Sequence, residues 1–226
     1  MRNGQRIKMD ASPASNVTYL YLIRHGSTDA NERRPYILQG QGVNGSLSET
    51  GRQQAQLVGE FLSDFKLDHV YASPMVRAVE TGQNIAKHHD LEVTGMAELL
   101  EVDVGQWEGM AWEKIMQQDP EAYERFMGDP GANAYLGGES YADVFARVEP
   151  ALQRLITENI GKSIAVVAHN VVNRVYLAGL LGLAIGKGKG LRQENCCINV
   201  IKHRNDETTL ITMNSTFHLR DALVPE

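Results

Sequence analysis

The sequence predicts an α/β fold of the three-layer type, a mainly parallel sheet with helices on both faces. Three observations support it: short apolar runs alternate with amphipathic segments, no repeat or Pro-rich linker divides the chain, and 42% of its 226 residues are apolar. Alternating strands and helices are typical of parallel sheets, and a chain of this length can bury one substantial core. We therefore expect residues 17–226 to form a single domain and 1–16 a disordered lead-in.

Strands are predicted where short runs combine apolar, β-branched and aromatic residues. Four such runs lie at 17–23, 69–73, 91–95 and 163–168. The segments CINVIKH and TTLITMN, joined by RNDE, predict a β-hairpin near the end of the chain.

Helices are predicted between these strands. Ser48 is a favourable N-cap for a helix that ends near residue 64. Pro74 suits the first position of the next helix, where a missing N–H costs nothing. Further helices are predicted at 111–127 with an interruption at Asp119-Pro120, at 140–158 around Pro150, and at 171–183. The segment 102–139, rich in polar and aromatic residues, is expected to form a cap over a site.

Composition excludes several classes of protein. A formal charge of −6 and a pI near 5.7 argue against a nucleic-acid-binding surface. The neighbouring Cys196 and Cys197 lack the spacing of a metal site, and we interpret them as core residues in a reducing compartment. The lead-in has no apolar signal-peptide core, and no run approaches the ~20 apolar residues of a membrane helix. We expect a cytoplasmic protein without membrane partners.

Basic side chains gather where the predicted strands end. Arg24 and His25 follow the first strand, Arg77 comes soon after the second, and His169 and Asn170 follow the run 163–168. Ligands of open parallel sheets bind beyond the carboxyl ends of the strands. These side chains are therefore expected to converge on one anionic group.

A phosphoryl group suits this set of residues. Arginine forks match phosphate oxygens, a neutral imidazole can attack phosphorus, and a second, protonated imidazole can stabilise the developing charge. A carboxylic acid must protonate the leaving oxygen. The segment ELLEVDVGQWEG supplies four carboxylates for this role, Glu98, Glu101, Asp103 and Glu108. The mechanism requires no metal.

The motifs around these residues resemble the histidine phosphatase superfamily, which includes cofactor-dependent phosphoglycerate mutases. The matching blocks follow the family order over about residues 17–203: LIRHGSTDAN, LSETGRQQA, VYASPMVRAVETG, LLEVDVGQWEG, GGES and VVAHNVVNRV. A lone RHG would be weak, whereas ordered blocks in the expected strand–loop–helix contexts are specific. The resemblance implies a phosphoglycerate mutase-like fold and a branch 1 phosphatase.

The resemblance also implies roles for single residues. His25 corresponds to the phosphorylated nucleophile, and Arg24, Arg77 and His169 to the rest of the phosphate pocket. Glu101 corresponds to the proton donor.

Other positions in the matching blocks carry weaker expectations. Thr28 and Asn31 match loop positions that line the substrate pocket. Asn170 stands where relatives often have Gly, and we expect it to cap the following helix and aim its amide at the phosphate. Gly26 is expected to let the backbone approach that phosphate, and Trp107 to lie in the core of the cap.

Three functions remain open at this point. The leading hypothesis is a metal-independent phosphatase of a small phosphomonoester, acting through phosphorylated His25 without a cofactor. The alternative is a phosphoglycerate mutase, primed by 2,3-bisphosphoglycerate; it is disfavoured because 109–136 holds only Lys114 and Arg125 as basic residues. A non-catalytic phospho-ligand binding module would not need both His25 and Glu101. The edge of the terminal hairpin leaves a homodimer open.

Overall fold

The computed structural model describes residues 13–219, and its sheet has six strands in the order β3-β2-β4-β1-β5-β6. The strands are β1 (Val17–Arg24), β2 (His69–Ala72), β3 (Val93–Gly95), β4 (Ser163–Ala168), β5 (Ile198–Arg204) and β6 (Glu207–Ser215). The first four in this order pair in parallel, whereas β5 and β6 are antiparallel additions at one edge. The predicted mainly parallel sheet is confirmed, and β1, β2 and β4 end side by side.

Seven α-helices of the described residues surround this sheet. They are α1 (Asp29–Glu32), α2 (Glu49–Leu62), α3 (Val76–Ala86), α4 (Trp112–Gln118), α5 (Pro120–Gly128), α6 (Tyr141–Glu158) and α7 (Asn170–Leu180). Short 3-10 turns lie at Ala97–Leu99, Gly105–Trp107 and Ile185–Gly190.

Two apolar cores cover the two faces of the sheet. One packs α6, α7 and the cap segment against residues such as Leu20 and Leu22 of β1. The other packs α2 and α3 against Tyr21 and Ile23 of the same strand. Successive side chains of a strand point to opposite faces, so β1 contributes to both cores and its end is fixed firmly.

Most predicted element ends are confirmed. The Ser48 hydroxyl accepts a hydrogen bond from the Gly51 N–H at 3.0 Å and caps α2. Helix α6 continues through Pro150. The hairpin turns at Asn205 and Asp206, whose φ values of 51° and 64° are those of a two-residue primed turn.

The prediction for Pro74 is wrong. Helix α3 begins at Val76, with Met75 as its N-cap, so Pro74 lies before the helix. After β2 ends, the Ser73 hydroxyl accepts a hydrogen bond from the Met75 N–H at 3.4 Å. Pro74 and Met75 thus belong to the turn, and helical geometry starts only at Val76.

The predicted lead-in is only partly described. Residues 1–12, like 220–226, lie outside the described residues. Residues 13–16 form a turn beside β1, in which the Val17 N–H donates to the Ala14 carbonyl at 2.8 Å. None of the helices between residues 13 and 219 has the length and apolar character that a membrane crossing requires.

Candidate active site

The ends of β1 and β4 bring two histidines together. The His25 N–H donates to the carbonyl of Ala168 at 3.0 Å, which continues the parallel pairing of the strands. The ring centroids of His25 and His169 are 5.1 Å apart, with the planes inclined by 58°. Both side chains are buried. The convergence predicted from strand topology is therefore present.

The His25 imidazole is held in one orientation by its neighbour. Its Nδ1 lies 2.7 Å from the carbonyl oxygen of Gly26, so Nδ1 carries the proton and Nε2 keeps its lone pair. Burial, followed by the charges of Arg77 and Arg24, lowers the pKa of His25 well below its usual range. A neutral imidazole with a free Nε2 is the form that can attack phosphorus.

His169 has a different environment. It is fully buried, and neither ring nitrogen has a hydrogen-bond partner within residues 13–219. Burial, Arg77 and His25 lower its pKa well below the usual range. In the free site His169 is thus neutral, whereas the sequence interpretation expected a protonated ring. A bound phosphate dianion would oppose these effects and raise the pKa.

Two arginines surround the histidines and are anchored by backbone carbonyls. Arg24 Nη1 donates to Gln193 O at 2.7 Å, and Arg77 donates to Val43 O at 2.9 Å and Gly40 O at 3.1 Å. Burial lowers the pKa of Arg77 to about 10, so it is still a cation at neutral pH. The Nε of each arginine is buried and has no partner among the described residues. We call Arg24, His25, Arg77 and His169 the floor cluster.

Glu101 lies next to this cluster and is also fixed. Its Oε1 accepts a hydrogen bond from the Val102 N–H at 2.9 Å, and its Oε2 accepts one from the Val171 N–H at 3.3 Å. The side chain is buried. Since Val171 lies in the first turn of α7, two residues after His169, this contact holds the carboxylate near the histidines.

The other three carboxylates of this segment have structural contacts. Glu98 pairs with Arg154 in a half-exposed ion pair at 2.9 Å. Asp103 accepts a hydrogen bond from the Gly105 N–H, and Glu108 accepts two, from the Gly40 and Gly42 N–H groups. This distribution supports Glu101 as the acid.

A cavity of about 440 Å³ opens above the floor cluster. Its wall includes five of the predicted site residues, Arg24, His25, Asn31, Glu101 and Asn170. Arg77 and His169 are fully buried and do not belong to that wall.

Thr28 also lies off the cavity, contrary to the prediction. It is the N-cap of α1, and its hydroxyl donates to Gln39 Oε1 at 2.8 Å. Asn31 does line the cavity, and it accepts a hydrogen bond from the Thr28 N–H at 3.2 Å. Thr28 thus orders the loop while Asn31 faces the cavity.

Asn170 is not the helix cap that the sequence suggested. The N-cap of α7 is His169, and Asn170 is its first helical residue. The Asn170 side chain nevertheless reaches the cavity wall, and its Oδ1 is buried with no partner in the described part of the chain.

The structure shows a second constraint at Gly26, in addition to the expected approach to a phosphate, which stays a prediction. A Cβ atom at Gly26 would stand 2.5 Å from the carbonyl oxygen of Gly51, and one at Gly51 would stand 1.9 Å from the carbonyl oxygen of Ser27. Both glycines are therefore required where the β1 loop crosses the first turn of α2. Backbone packing is thus the constraint that the structure shows at both positions.

The cap segment 102–139 covers the cavity as predicted, and it does so mainly with apolar and aromatic residues. Trp107 lies in the cap core, fully buried, with Nε1 donating to Asp119 Oδ2 at 3.0 Å. Cap residues on the cavity wall are Val102, Val104, Trp112, Phe126, Met127, Pro130 and Tyr135.

Sequence reasoning missed the cations on the far side of the cavity. Arg174 of α7 and Lys189 of the 3-10 turn both line it, together with Tyr141 and the cap aromatics. We call Arg174, Lys189, Tyr135 and Tyr141 the outer wall. Arg174 could have been found from the helix period, since it is four residues beyond Asn170. No local pattern marks Lys189.

Comparisons with known proteins agree with this arrangement. A sequence model of the histidine phosphatase superfamily (branch 1) matches residues 20–216. Phosphoserine phosphatase 1 of Hydrogenobacter thermophilus is 32% identical over 206 residues, which cover 91% of this chain and 96% of that protein. The metal-independent phosphoserine phosphatase of Arabidopsis thaliana is 31% identical over 219 residues, 93% and 87% of the two chains.

A solved structure shows the same fold. A variant of the Entamoeba histolytica phosphoserine phosphatase in complex with phosphoserine superposes with a TM-score of 0.79 and 28% sequence identity. The match covers 89% of this chain and 99% of that one. The predicted three-layer α/β architecture is confirmed by this likeness.

Proposed function

The chain belongs to branch 1 of the histidine phosphatase superfamily, and we propose that it is a metal-independent phosphatase that hydrolyses a small phosphomonoester through phosphorylated His25. Relatives named as phosphoserine phosphatases make phosphoserine the first substrate to test.

One observation carries the proposal: buried nitrogens without partners surround His25. Within the described residues, Arg24 Nε, Arg77 Nε and both ring nitrogens of His169 are unsatisfied. Buried polar groups in native proteins are almost always paired, so a cluster of such groups marks a ligand site. Two permanent cations and an imidazole suit the oxygens of a phosphoryl group.

The first chemical step transfers the phosphoryl group to the enzyme. The lone pair of His25 Nε2 attacks phosphorus, the bond between phosphorus and the ester oxygen breaks, and protonated Glu101 gives its proton to the departing alcohol. Arg24 and Arg77 stabilise the oxygens of the transferred group, whose charge also raises the pKa of His169.

The second step restores the enzyme. The Glu101 carboxylate takes a proton from water while the water oxygen attacks phosphorus, the phosphorus–nitrogen bond breaks, and inorganic phosphate leaves. His25 returns to its neutral state. Each half-reaction thus uses the same floor cluster and the same carboxyl group.

The composition of the cavity wall favours hydrolysis over mutase activity. Cap residues on the described wall carry no basic side chain, and its cations come from β1, α7 and the 3-10 turn instead. The resembling mutases carry additional basic residues in the segment after the proton donor. We therefore expect no interconversion of phosphoglycerates, with or without 2,3-bisphosphoglycerate.

The state of the two cysteines bears on the cellular compartment in which the protein works. Cys196 and Cys197 are both buried and free. Two adjacent unpaired thiols support a reducing compartment, the cytoplasm.

The test is to trap the intermediate. Brief incubation with ³²P-labelled phosphoserine, followed by denaturation in alkali, is expected to leave acid-labile label on the wild-type chain. His25→Ala should abolish the label and lower kcat by at least about 10³-fold. His88→Ala, which removes an exposed histidine, is the matched control. Label that persists in His25→Ala would refute the proposal.

A further inference from the structure

The outer wall offers a second anion site next to the floor cluster. We propose that Arg174 and Lys189 bind a carboxylate of the substrate, and that the enzyme acts on phosphomonoesters that carry a carboxylate a few carbons from the ester oxygen. This inference rests on the proposed phosphatase function and specifies its substrate class.

The position of Arg174 sets the distance between the two sites. Asn170 and Arg174 both line the cavity, one helical turn apart on the same face of α7. Four residues of an α-helix rise about 6 Å. His169 directly precedes Asn170, so the floor cluster lies at the start of this helix and Arg174 one turn farther on. A molecule with a phosphate and a carboxylate separated by two or three carbons has this length.

The charges on the wall have no internal counterions. Neither Arg174 nor Lys189 forms a salt bridge with a carboxylate within residues 13–219. Glu101 is the single acidic residue of the described cavity wall, and its oxygens already accept two backbone N–H groups. A protein whose formal charge is −6 therefore has a cavity with an excess of positive charge. Such a cavity selects for a ligand with more than one anionic group.

Arg174 is oriented before any ligand binds. Its Nε donates to the carbonyl of Leu191 at 2.8 Å, and the side chain also hydrogen-bonds Tyr141, so the guanidinium is held by two neighbours. Its charge also acts on the buried Tyr141, where it opposes the rise in pKa that burial causes. Lys189 Nζ donates to the carbonyl of Met127 and thereby links the 3-10 turn to the cap. A guanidinium has five N–H donors, so Arg174 held in this way can still donate its remaining N–H groups to a carboxylate.

The aromatic part of the wall lies on the cap side of the cavity and carries no charge. Tyr135 is buried, and burial together with Tyr141 raises its pKa well above the usual range, so it is a neutral hydroxyl. Phe126 packs on Tyr135 with ring centroids 4.1 Å apart. Both rings line the cavity together with Arg174, so this part of the wall adds apolar surface and a neutral hydroxyl but no further charge.

The experiment compares two substrates that differ only in the carboxylate, phosphoserine and phosphoethanolamine. We expect the wild-type kcat/KM to be at least about 10-fold higher for phosphoserine, and Arg174→Gln to lower that ratio by about 10- to 100-fold. Arg174→Lys should give an intermediate ratio, and Lys189→Gln a smaller decrease. Lys187→Gln is the matched control, because it removes the same charge from the same turn outside the cavity wall.

A binding measurement separates the subsite from the chemistry. Calorimetric titration of the His25→Ala variant with each compound reports carboxylate recognition without turnover. If the wild type hydrolyses p-nitrophenyl phosphate but neither activity nor binding distinguishes phosphoserine from phosphoethanolamine, the subsite is refuted and the phosphatase stands. If no phosphomonoester is hydrolysed, the proposed phosphatase activity is refuted. The titrations then still show whether the cavity distinguishes phosphoserine from phosphoethanolamine.

Equal decreases of kcat/KM for phosphoserine and phosphoethanolamine in Arg174→Gln would also refute the proposal. They would show that Arg174 has only a structural role through its hydrogen bond to Leu191. Circular dichroism checks the fold of each variant. Where Arg174→Gln does not fold, the ratio of Arg174→Lys decides the question.

Discussion

The floor cluster and the outer wall are both cationic, but they are held in different ways. Arg24 and Arg77 are buried and tied to the carbonyls of distant loops, and His25 and His169 follow strand ends in the middle of the sheet. Arg174 and Lys189 are each tied by one carbonyl and extend from the side of a helix and from a short turn. Buried side chains at strand ends suit the reacting group, and side chains on a helix and a turn at the cavity wall suit recognition of the rest of the substrate. The two regions thus separate chemistry from choice of substrate.

The strongest test of this separation concerns Glu101, which lies between the two regions. Glu101→Gln keeps the shape of the side chain but cannot donate a proton to the leaving alcohol. We expect kcat for alkyl phosphates such as phosphoserine to fall by about 10²- to 10⁴-fold, and to fall much less for p-nitrophenyl phosphate, whose leaving group needs little protonation.

Steady-state kinetics on phosphoserine and on p-nitrophenyl phosphate measure this difference in the loss of kcat. Glu98→Gln, which removes a half-exposed carboxylate three residues away, is the control. Equal losses on both substrates in Glu101→Gln would show that this carboxylate is not the proton donor.

A smaller effect is expected for Arg147, which belongs to neither region. This residue of α6 donates to the carbonyls of Glu98 and Leu100 at 2.7 Å each and of Glu101 at 3.1 Å. It is also paired with Glu139 at 2.9 Å. Arg147→Gln should therefore misplace Glu101 and lower kcat for alkyl phosphates by about 10- to 100-fold.

If Arg147 acts by positioning Glu101, Arg147→Gln should lower kcat more for phosphoserine than for p-nitrophenyl phosphate, as Glu101→Gln does. The difference between the two substrates should be smaller than in Glu101→Gln. Arg154→Gln, two helical turns away on α6, removes an arginine that pairs with Glu98 at the surface and serves as the control. If Arg147→Gln slows both substrates equally while the melting temperature falls, Arg147 supports only the fold.

The smallest expected effect concerns the protonation of the floor cluster. The pKa values of His25 and His169 are lowered in the folded chain, whereas histidines of the unfolded chain titrate near 6.5. Below pH 6.5 the unfolded state therefore binds more protons, and the free energy of unfolding decreases. Each histidine contributes at most about 1.4 kcal/mol per pH unit in this window, and its contribution is constant above it.

Urea denaturation of the wild type and of His169→Asn at pH 7.5 and 5.5 measures this dependence. We expect the variant to lose less stability on acidification, because one of the buried neutral histidines is gone. His88→Asn, which changes an exposed histidine, should behave like the wild type. Identical pH dependence in wild type and His169→Asn would contradict the lowered pKa.

The lowered pKa of His25 also predicts that kcat/KM persists below pH 6.5, since His25 stays neutral there.

The floor cluster was predictable because strand topology alone decides which residues meet. A buried apolar run that ends in Arg24 and His25, and another that ends in His169, must place these side chains at one edge of a parallel sheet. The contacts that fix them were not predictable. The carbonyls of Gly40 and Val43 receive Arg77 across more than thirty residues, and no periodicity indicates a loop of that shape.

The outer wall was missed for a related reason. Arg174 lies within an apolar helix, where a single arginine is usually a surface residue, and Lys189 follows glycines in a segment without a clear pattern. Only the packing of α7, the 3-10 turn and the cap makes them neighbours. The start of α3 at Val76 rather than at Pro74 was not predictable for the same reason. The geometry of a turn depends on the tertiary position of the element that follows it, which the local sequence does not give.

The contact between Gly26 and Gly51 has a consequence for mutational scanning of this protein. A side chain at Gly51 would collide with the backbone of Ser27, two residues from His25. Selection for activity would therefore deplete substitutions at Gly51 about as strongly as those at His25, although Gly51 has no chemical group to offer. A sensitivity map read without the structure would extend the catalytic centre to the start of α2. Protein abundance, measured in parallel, separates the two positions, because His25→Ala leaves the packing intact and Gly51→Ala does not.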